Sequence, residues 1–494
     1  MSRAKRIMVQ GTMSGAGKSL LCTALCRIFR QDGLRAAPFK SQNMALNSYV
    51  TRDLLEIGRA QAVQAEAAGI PPDVRMNPIL LKPSSDVGSQ VIVNGRVRAQ
   101  MSAADYFSYK TQLIPEILAA YDSLAEEYDV IVMEGAGSPA EINLRANDIV
   151  NMGLAELVNA PVLLAGDIDR GGVFAQLYGT VMLLDGLERA RVKGLIINKF
   201  RGDAALLTPG LRQLEDLTGI PVLGVVPLLD VRIDDEDSLA PCLAERAAHK
   251  PIDIAVIRLP HIANFTDFAP LEAHPLMGVR YVTDAADLGA PDLLILPGTK
   301  STVDDLIWLR SGGLESAVLR LASAGTPVFG ICGGYQMLGE EITDAAGIEG
   351  SLPSLKGMGL LPCSTVFEPE KTLTRVEAVV TGGPLNGTEL EGYEIHMGTT
   401  AVRGEAFCRL VDNGDPEGCR RENVFGSYLH GLFESSEVTD RLADWLCGRK
   451  GIEKKTAVAE PWREFRERQY DLLAAGVRKA LNMDAIYRMM EDFA

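Results

Sequence analysis

The sequence predicts an α/β protein built on open parallel sheets, and three observations predict it. Short apolar runs rich in β-branched residues recur between helical patterns, at 6–10, 129–133, 161–165, 194–198 and 221–226, and again at 253–259, 292–296, 327–331 and 424–429. Several runs are continuous rather than alternating, as in strands covered on both faces. The first run leads through a Gly-rich loop into a helical pattern, the order of a phosphate-binding βα unit.

Length and composition bound the organisation. The chain has 494 residues, with 49 basic and 65 acidic side chains and a formal charge of −16. At about 150 residues per domain this suggests about three domains. The two series of strands are separated by the acidic cluster Asp234-Asp235-Glu236-Asp237 and a charged run at 245–250. We therefore expect a first domain over 1–230, a linker over 231–250 and a second domain over 251–438. A C-terminal helical extension follows over 439–494, where Trp462, Phe465, Leu472, Leu473, Val477 and Leu481 keep helical spacing. There are no repeats, low-complexity tracts or heptads.

The same numbers exclude whole classes of function. Hydrophobic residues are 47% of the chain and charged ones 23%, which suits packed cores and not disorder. An acidic surface repels nucleic acid, yet leaves room for a small anionic ligand in a local basic pocket. No apolar run approaches the roughly 18–20 residues of a membrane span. After Arg3, Lys5 and Arg6 the apolar stretch is only Ile7-Met8-Val9, too short for a signal-peptide core. The eight cysteines form no CxxC pair, and with the five histidines they show no metal-ligand spacing. Cys22 and Cys26 read as small core residues. These features point to the reducing cytoplasm.

The phosphate loop is Gly11-Thr12-Met13-Ser14-Gly15-Ala16-Gly17-Lys18-Ser19, between a strand pattern and a helical one. In such a loop backbone N–H groups and the helix N-terminus surround a phosphate, Lys18 reaches the outer phosphates and Ser19 ligates Mg²⁺. Thr12 stands where the standard motif has its first glycine. Lys40 follows a second short strand pattern and supplies another cation. Glu134 ends the run at 129–133 and is the expected metal ligand, directly or through water. Asn198 follows another strand and is placed to contact the base. A guanine-reading loop would need Asp at position 201, which is Arg, so the nucleotide is ATP rather than GTP.

The second half carries a nucleophile pattern. The run at 327–331 enters Cys332-Gly333-Gly334-Tyr335-Gln336, a strand–elbow–helix whose small residues permit a strained turn. The helix N-terminus favours the thiolate, the form that attacks. Gly298, in Pro297-Gly298-Thr299, and Gly333 are placed to offer backbone N–H groups to an oxyanion. His430, at the end of the last strand, is the expected general base. His396 reads as a structural histidine rather than a pocket residue, and His249, His261 and His274 receive no role.

On these motifs each half resembles a known family. The G-x5-G-K-S loop with Lys40 and Glu134 is similar to dethiobiotin synthetase and its relatives, which phosphorylate a carboxylate-type group. A loose resemblance to the same enzymes implies Glu56 as a second candidate metal ligand. The Gly298, Cys332 and His430 segments resemble the flavodoxin-like class I glutamine amidotransferases, which release ammonia from glutamine through a γ-glutamyl thioester. Those enzymes carry Glu two residues after the histidine; here that position is Leu432, and Glu434 lies two further on. The third triad member is therefore open.

Over about residues 5 to 490 the chain is similar to the cobyric acid synthase family. The matching segments include Phe39-Lys40-Ser41-Gln42-Asn43-Met44, Glu56-Ile57-Gly58-Arg59-Ala60-Gln61, Asn77-Pro78-Ile79-Leu80-Leu81-Lys82-Pro83, the stretch from Gly166 to Gly172, and Asn264-Phe265-Thr266-Asp267-Phe268. The resemblance implies ATP- and glutamine-dependent amidation of the b, d, e and g carboxylates of adenosylcobyrinic acid a,c-diamide, with Mg²⁺. Gln42, Asn43, Asn47, Lys82 and Arg170 suit a polycarboxylate corrinoid. The nearest rival is cobyrinic acid a,c-diamide synthase, of the same domain plan. A rival of another class is a P-loop switch ATPase, which needs no nucleophile elbow.

Overall fold

A computed structural model describes residues 4–85, 88–234, 250–452 and 458–493. The chain divides into two compact units. Met1–Met44, Leu55–Asp234 and Arg466–Ala494 form the first; Ala45–Leu54 and Asp235–Phe465 form the second. Most of the expected linker, with Asp235, Glu236 and Asp237, lies outside the described residues.

The first unit is built on a six-stranded parallel sheet. Its order is Val222–Pro227, Val192–Phe200, Val162–Asp167, Lys5–Gly11, Val130–Glu134 and Ala36–Phe39. Strand alternation sends Ile7, Val9, Val130 and Val132 into one core and Met8, Ile131 and Met133 into the other. Both faces are covered, so both sets are apolar and the runs read as continuous. A four-stranded sheet of Gln42–Met44, Ile79–Ser85, Gly88–Val93 and Arg96–Ser102 accompanies it.

In the second unit the order is Met277–Val282, Ile252–Ile257, Leu293–Leu296, Val328–Ile331, Val424–Ser427 and Cys419–Arg421. All neighbours are parallel except the last pair. A second sheet is dominated by the antiparallel pair Cys363–Val380 and Glu389–Val402. This pair shows no continuous apolar run in the sequence, because its solvent-facing positions are interspersed with buried ones.

The expected C-terminal extension over 439–494 is not one piece. Helix Ser436–Lys450 places Val438, Leu442, Leu446 and Cys447 in the core of the second unit. Gly451, at φ 68° in the left-handed region, ends that helix. Residues from Arg466 on group with the first unit, where Leu473, Val477, Ile486 and Met490 share a core with Leu21, Leu25 and Phe29 of helix Lys18–Gln31. Arg27 ties the same surfaces, bonding Asp471 at 2.8 Å and Glu467 at 2.7 Å. Two apolar stripes serve two cores, so the tail divides between them. Every described cysteine is a free thiol. Among the described residues no helix is long and apolar enough to cross a membrane.

Candidate active sites

The phosphate loop joins strand Lys5–Gly11 to helix Lys18–Gln31, whose N-cap Gly17 has φ 90°. No side chain caps this terminus, so its N–H groups face the loop. The Lys18 ammonium bonds the carbonyls of Met13 at 3.1 Å and Gly137 at 3.0 Å. Burial lowers its pKa to about 8, against the opposing pull of Glu134.

Glu134 is the centre of the site. It ends strand Val130–Glu134 and is buried. One carboxylate oxygen accepts from the Ser19 hydroxyl at 2.8 Å and the Lys40 ammonium at 2.9 Å; the other accepts from the Gln64 amide at 2.6 Å. Burial alone would raise the carboxyl's pKa, but Lys40 and the other donors hold it below the usual range. The hydroxyl of Ser19 and the carboxylate of Glu134 are hard oxygen donors of the kind a phosphate-bound Mg²⁺ takes. Gln64, on helix Arg59–Ala68, was not foreseen.

The other assigned residues spread around this centre. Asn198 donates to the Ala16 carbonyl at 2.9 Å, and a Cβ on Gly17 would come within 2.2 Å of its amide nitrogen, so it packs on the phosphate loop itself. Thr12 bonds Gln176 at 3.2 Å, and the exposed Arg170 lies near Gly15. Glu56 and Lys82, read as metal ligand and substrate cation, form one buried ion pair. Gln42 accepts from the Tyr106 hydroxyl at 2.6 Å, and Asn43 donates to Gln61 at 2.9 Å. Asn47 groups with the second unit.

The thiol site is an elbow. Cys332 follows strand Val328–Ile331 at φ 51° and ψ −109°, a strained conformation for a non-glycine residue. Gly334 makes the turn possible, because a Cβ there would lie 2.1 Å from the Leu296 carbonyl oxygen. Gly298 adjoins the side chains of both Cys332 and His430: a Cβ on it would lie 3.4 Å from His430 Cε1 and 3.7 Å from Cys332 Cβ. Gly333 faces Thr299 of the same loop. The Ala263 N–H donates to the Gly298 carbonyl at 2.9 Å, fixing that peptide.

His430 is fixed from several sides. Its backbone exchanges hydrogen bonds with Tyr393, at 2.9 and 3.2 Å, and the Tyr393 ring stacks on the imidazole. Its Nδ1 lies 2.6 Å from Asp267 Oδ2, and Asp267 Oδ1 accepts from the Gly431 N–H at 3.1 Å. Burial alone would depress the imidazole's pKa, but Asp267, with Cys332 beside the ring, pushes it up to about 10. The position the sequence left open is thus filled by Asp267 from the Phe265–Phe268 turn, and Leu432 is a buried core residue. The Asn264–Phe268 segment was visible as a motif, but nothing in its spacing connects it to His430.

His396 stacks on Tyr428 with ring centroids 3.7 Å apart and bonds the Gly398 carbonyl, as a structural histidine does.

A phosphate loop backed by a buried acid, and a Cys–His–Asp elbow on a second α/β sheet, define a glutamine-dependent amidoligase. Two family models match, the CobQ/CobB/MinD/ParA nucleotide binding domain over residues 7–238 and the CobB/CobQ-like glutamine amidotransferase domain over residues 253–438. Cobyric acid synthase of Lachnoclostridium phytofermentans is 54% identical, with 99% of each chain covered. That of Ruminiclostridium cellulolyticum is 55% identical over 99% of this chain and 98% of its own. That of Yersinia enterocolitica is 54% identical over 98% of both. The chain belongs to the cobyric acid synthase family.

Proposed function

We propose that this chain makes cobyric acid in cobalamin biosynthesis, amidating the b, d, e and g carboxylates of adenosylcobyrinic acid a,c-diamide with ATP and glutamine. The observation that carries this reading is that one chain holds both a phosphate loop backed by Glu134 and Lys40 and a Cys332–His430–Asp267 array. One builds an acyl phosphate; the other supplies the ammonia that consumes it.

The Cys332 thiolate attacks the glutamine side-chain carbonyl after His430 Nε2 takes the thiol proton. The tetrahedral oxyanion faces the N–H groups of the Gly298 loop and of Gly333. His430 returns the proton to the leaving nitrogen, ammonia departs and a γ-glutamyl thioester remains. Water, deprotonated by His430, then releases glutamate. Asp267 holds Nδ1, so Nε2 stays directed at sulfur.

In the first unit a corrinoid carboxylate attacks the γ-phosphate of ATP, giving an acyl phosphate and ADP. Ammonia displaces phosphate to leave the amide. Lys18 and Lys40 provide cations for the phosphates, and the loop N–H groups orient them. Mg²⁺, held by Ser19 and Glu134, would neutralise phosphate charge. Asn198 supports the loop, while Gln42, Asn43 and Arg170 are candidates for corrinoid contacts. Glu56 and Lys82 act as a pair.

The test is to give the protein cobyrinic acid and its a,c-diamide separately, with ATP, Mg²⁺ and glutamine, and to count new amides by mass. Four new amides on the a,c-diamide are expected. Turnover of the unamidated acid alone would transfer the assignment to a,c-diamide synthesis.

A further inference from the structure

Residues 45–54 lie in the chain between Gln42–Met44 and Glu56–Gly58, both of the first unit, yet they group with the second unit. Inside that unit they reach the catalytic histidine. The Ser48 N–H donates to Asn264 Oδ1 at 3.0 Å, and Asn264 Nδ2 stands 3.5 Å from His430 Nε2. The Tyr393 hydroxyl donates to the Ser48 carbonyl at 3.3 Å, and Val50 packs against Tyr393 and Ile395.

We propose that Asn264 is a positioning residue that restrains the proton transfer from Cys332 to His430, and that residues 45–54 set this restraint. Hydrogen-bond direction orients the Asn264 amide. A backbone N–H can only donate, so the Asn264 atom facing Ser48 is its oxygen. The amide NH₂ is therefore turned toward His430. Nδ1 of that ring is taken by Asp267, which leaves Nε2 as the atom that receives the thiol proton. An N–H aimed at Nε2 is accepted by the lone pair of the neutral ring and opposes the imidazolium, which carries a proton there, so Asn264 works against the upward pull of Asp267 on the same ring. The flipped amide would present an oxygen, and would favour the imidazolium and the attacking thiolate.

Among the described residues, Asp267, Cys332, Tyr393 and Asn264 are groups placed around the ring, and of these four Asn264 has two orientations of opposite effect. Asn264 is itself buried, with a left-handed φ of 52° at the start of the turn that carries Asp267. Its backbone is thus fixed while its amide direction depends on Ser48. The inference rests on the proposed function and deepens it.

The test uses the full chain and two variants, Asn264→Asp, which replaces the donor by an acceptor in nearly the same shape, and Ser48→Pro, which deletes the backbone donor. Glutamate release is measured with and without ATP and the corrinoid acid, together with the alkylation rate of Cys332 at neutral pH. Both variants should raise substrate-independent hydrolysis about tenfold, the scale of one hydrogen bond. Alkylation of Cys332 should quicken as well; a merely structural role would lower both hydrolysis and alkylation. An Asn264→Asp protein with hydrolysis at or below wild type overturns the inference. A wild type that hydrolyses no glutamine overturns the proposed function as well, so the two failures are distinguishable.

Discussion

His430 Nδ1 lies 2.6 Å from Asp267 Oδ2, although Asp267 precedes it by 163 positions. The pair completes a Cys–His–acid array with an aspartate from a different loop than the position two residues after the histidine. Because Asp267 also accepts from the Gly431 N–H, it fixes both the ring and the adjoining backbone of His430.

Asp267→Asn should therefore lower the glutamine-dependent kcat about 100-fold or more, the scale of a general-base contribution. Amidation driven by added ammonium salts should stay at the wild-type rate. Glutamate release and corrinoid amidation, assayed in parallel, check both halves. Equal loss in the two assays would mean that Asp267 serves folding rather than catalysis.

The two centres should fail separately. Cys332→Ala should abolish glutamine-dependent synthesis and keep the ammonia-dependent route, because the thiol is needed only to release ammonia. Lys18→Ala should stop both routes of synthesis, because each needs the acyl phosphate. Ammonia-dependent product from Lys18→Ala would contradict the phosphate-loop assignment.

The Asp267–His430 pair should also appear in the pH dependence of stability. The His430 pKa is raised from 6.5 to about 10 in the folded chain. Its contribution is complete below about 6.5 and is lost as pH rises through about 10. Thermal unfolding of wild type and Asp267→Asn should differ most near pH 6 and converge toward pH 10. A difference constant with pH would argue against an ion pair.

Glu417 offers the opposite sign. It accepts from the Tyr428 N–H at 2.7 Å and the Ser427 hydroxyl at 2.8 Å, just ahead of His430. Burial pushes its carboxyl from 4.5 up to about 7. A raised carboxyl destabilises the fold increasingly as pH climbs from about 4.5 through about 7. Glu417→Gln, which imitates the protonated acid, should gain thermal stability relative to wild type at pH 8 and lose that gain at pH 5. Equal shifts at both pH values would mean that the fold does not raise the Glu417 carboxyl above its ordinary range.

Much of this architecture is written locally in the chain. The parallel strands are continuous apolar runs because helices cover both faces, and the phosphate loop and Cys332 elbow are contiguous motifs whose neighbours fix their conformation. What stayed hidden depends on pairing between distant segments. Nothing near His430 names Asp267, and nothing near Glu134 names Gln64. Glu56 and Lys82 read as separate site residues because each is a lone charge in sequence; folding buries them against each other. The alternating strands Cys363–Val380 and Glu389–Val402 escaped for a related reason, since their half-exposed pattern resembles polar loops. The tail was legible as helix, but its division between two cores was not, because helical spacing shows an apolar stripe and not its partner.

On the proposed function, one chain takes ammonia from glutamine at Cys332 and places it on a carboxylate activated at the phosphate loop. The most direct measurement supplies glutamine labelled with ¹⁵N in its side-chain amide, together with ATP, Mg²⁺ and adenosylcobyrinic acid a,c-diamide, and reads the product by mass. Labelled nitrogen in each of four new amides, lost when Cys332 is replaced by alanine, is the predicted result. New amides without label, or none while glutamine and ATP are consumed, would contradict it.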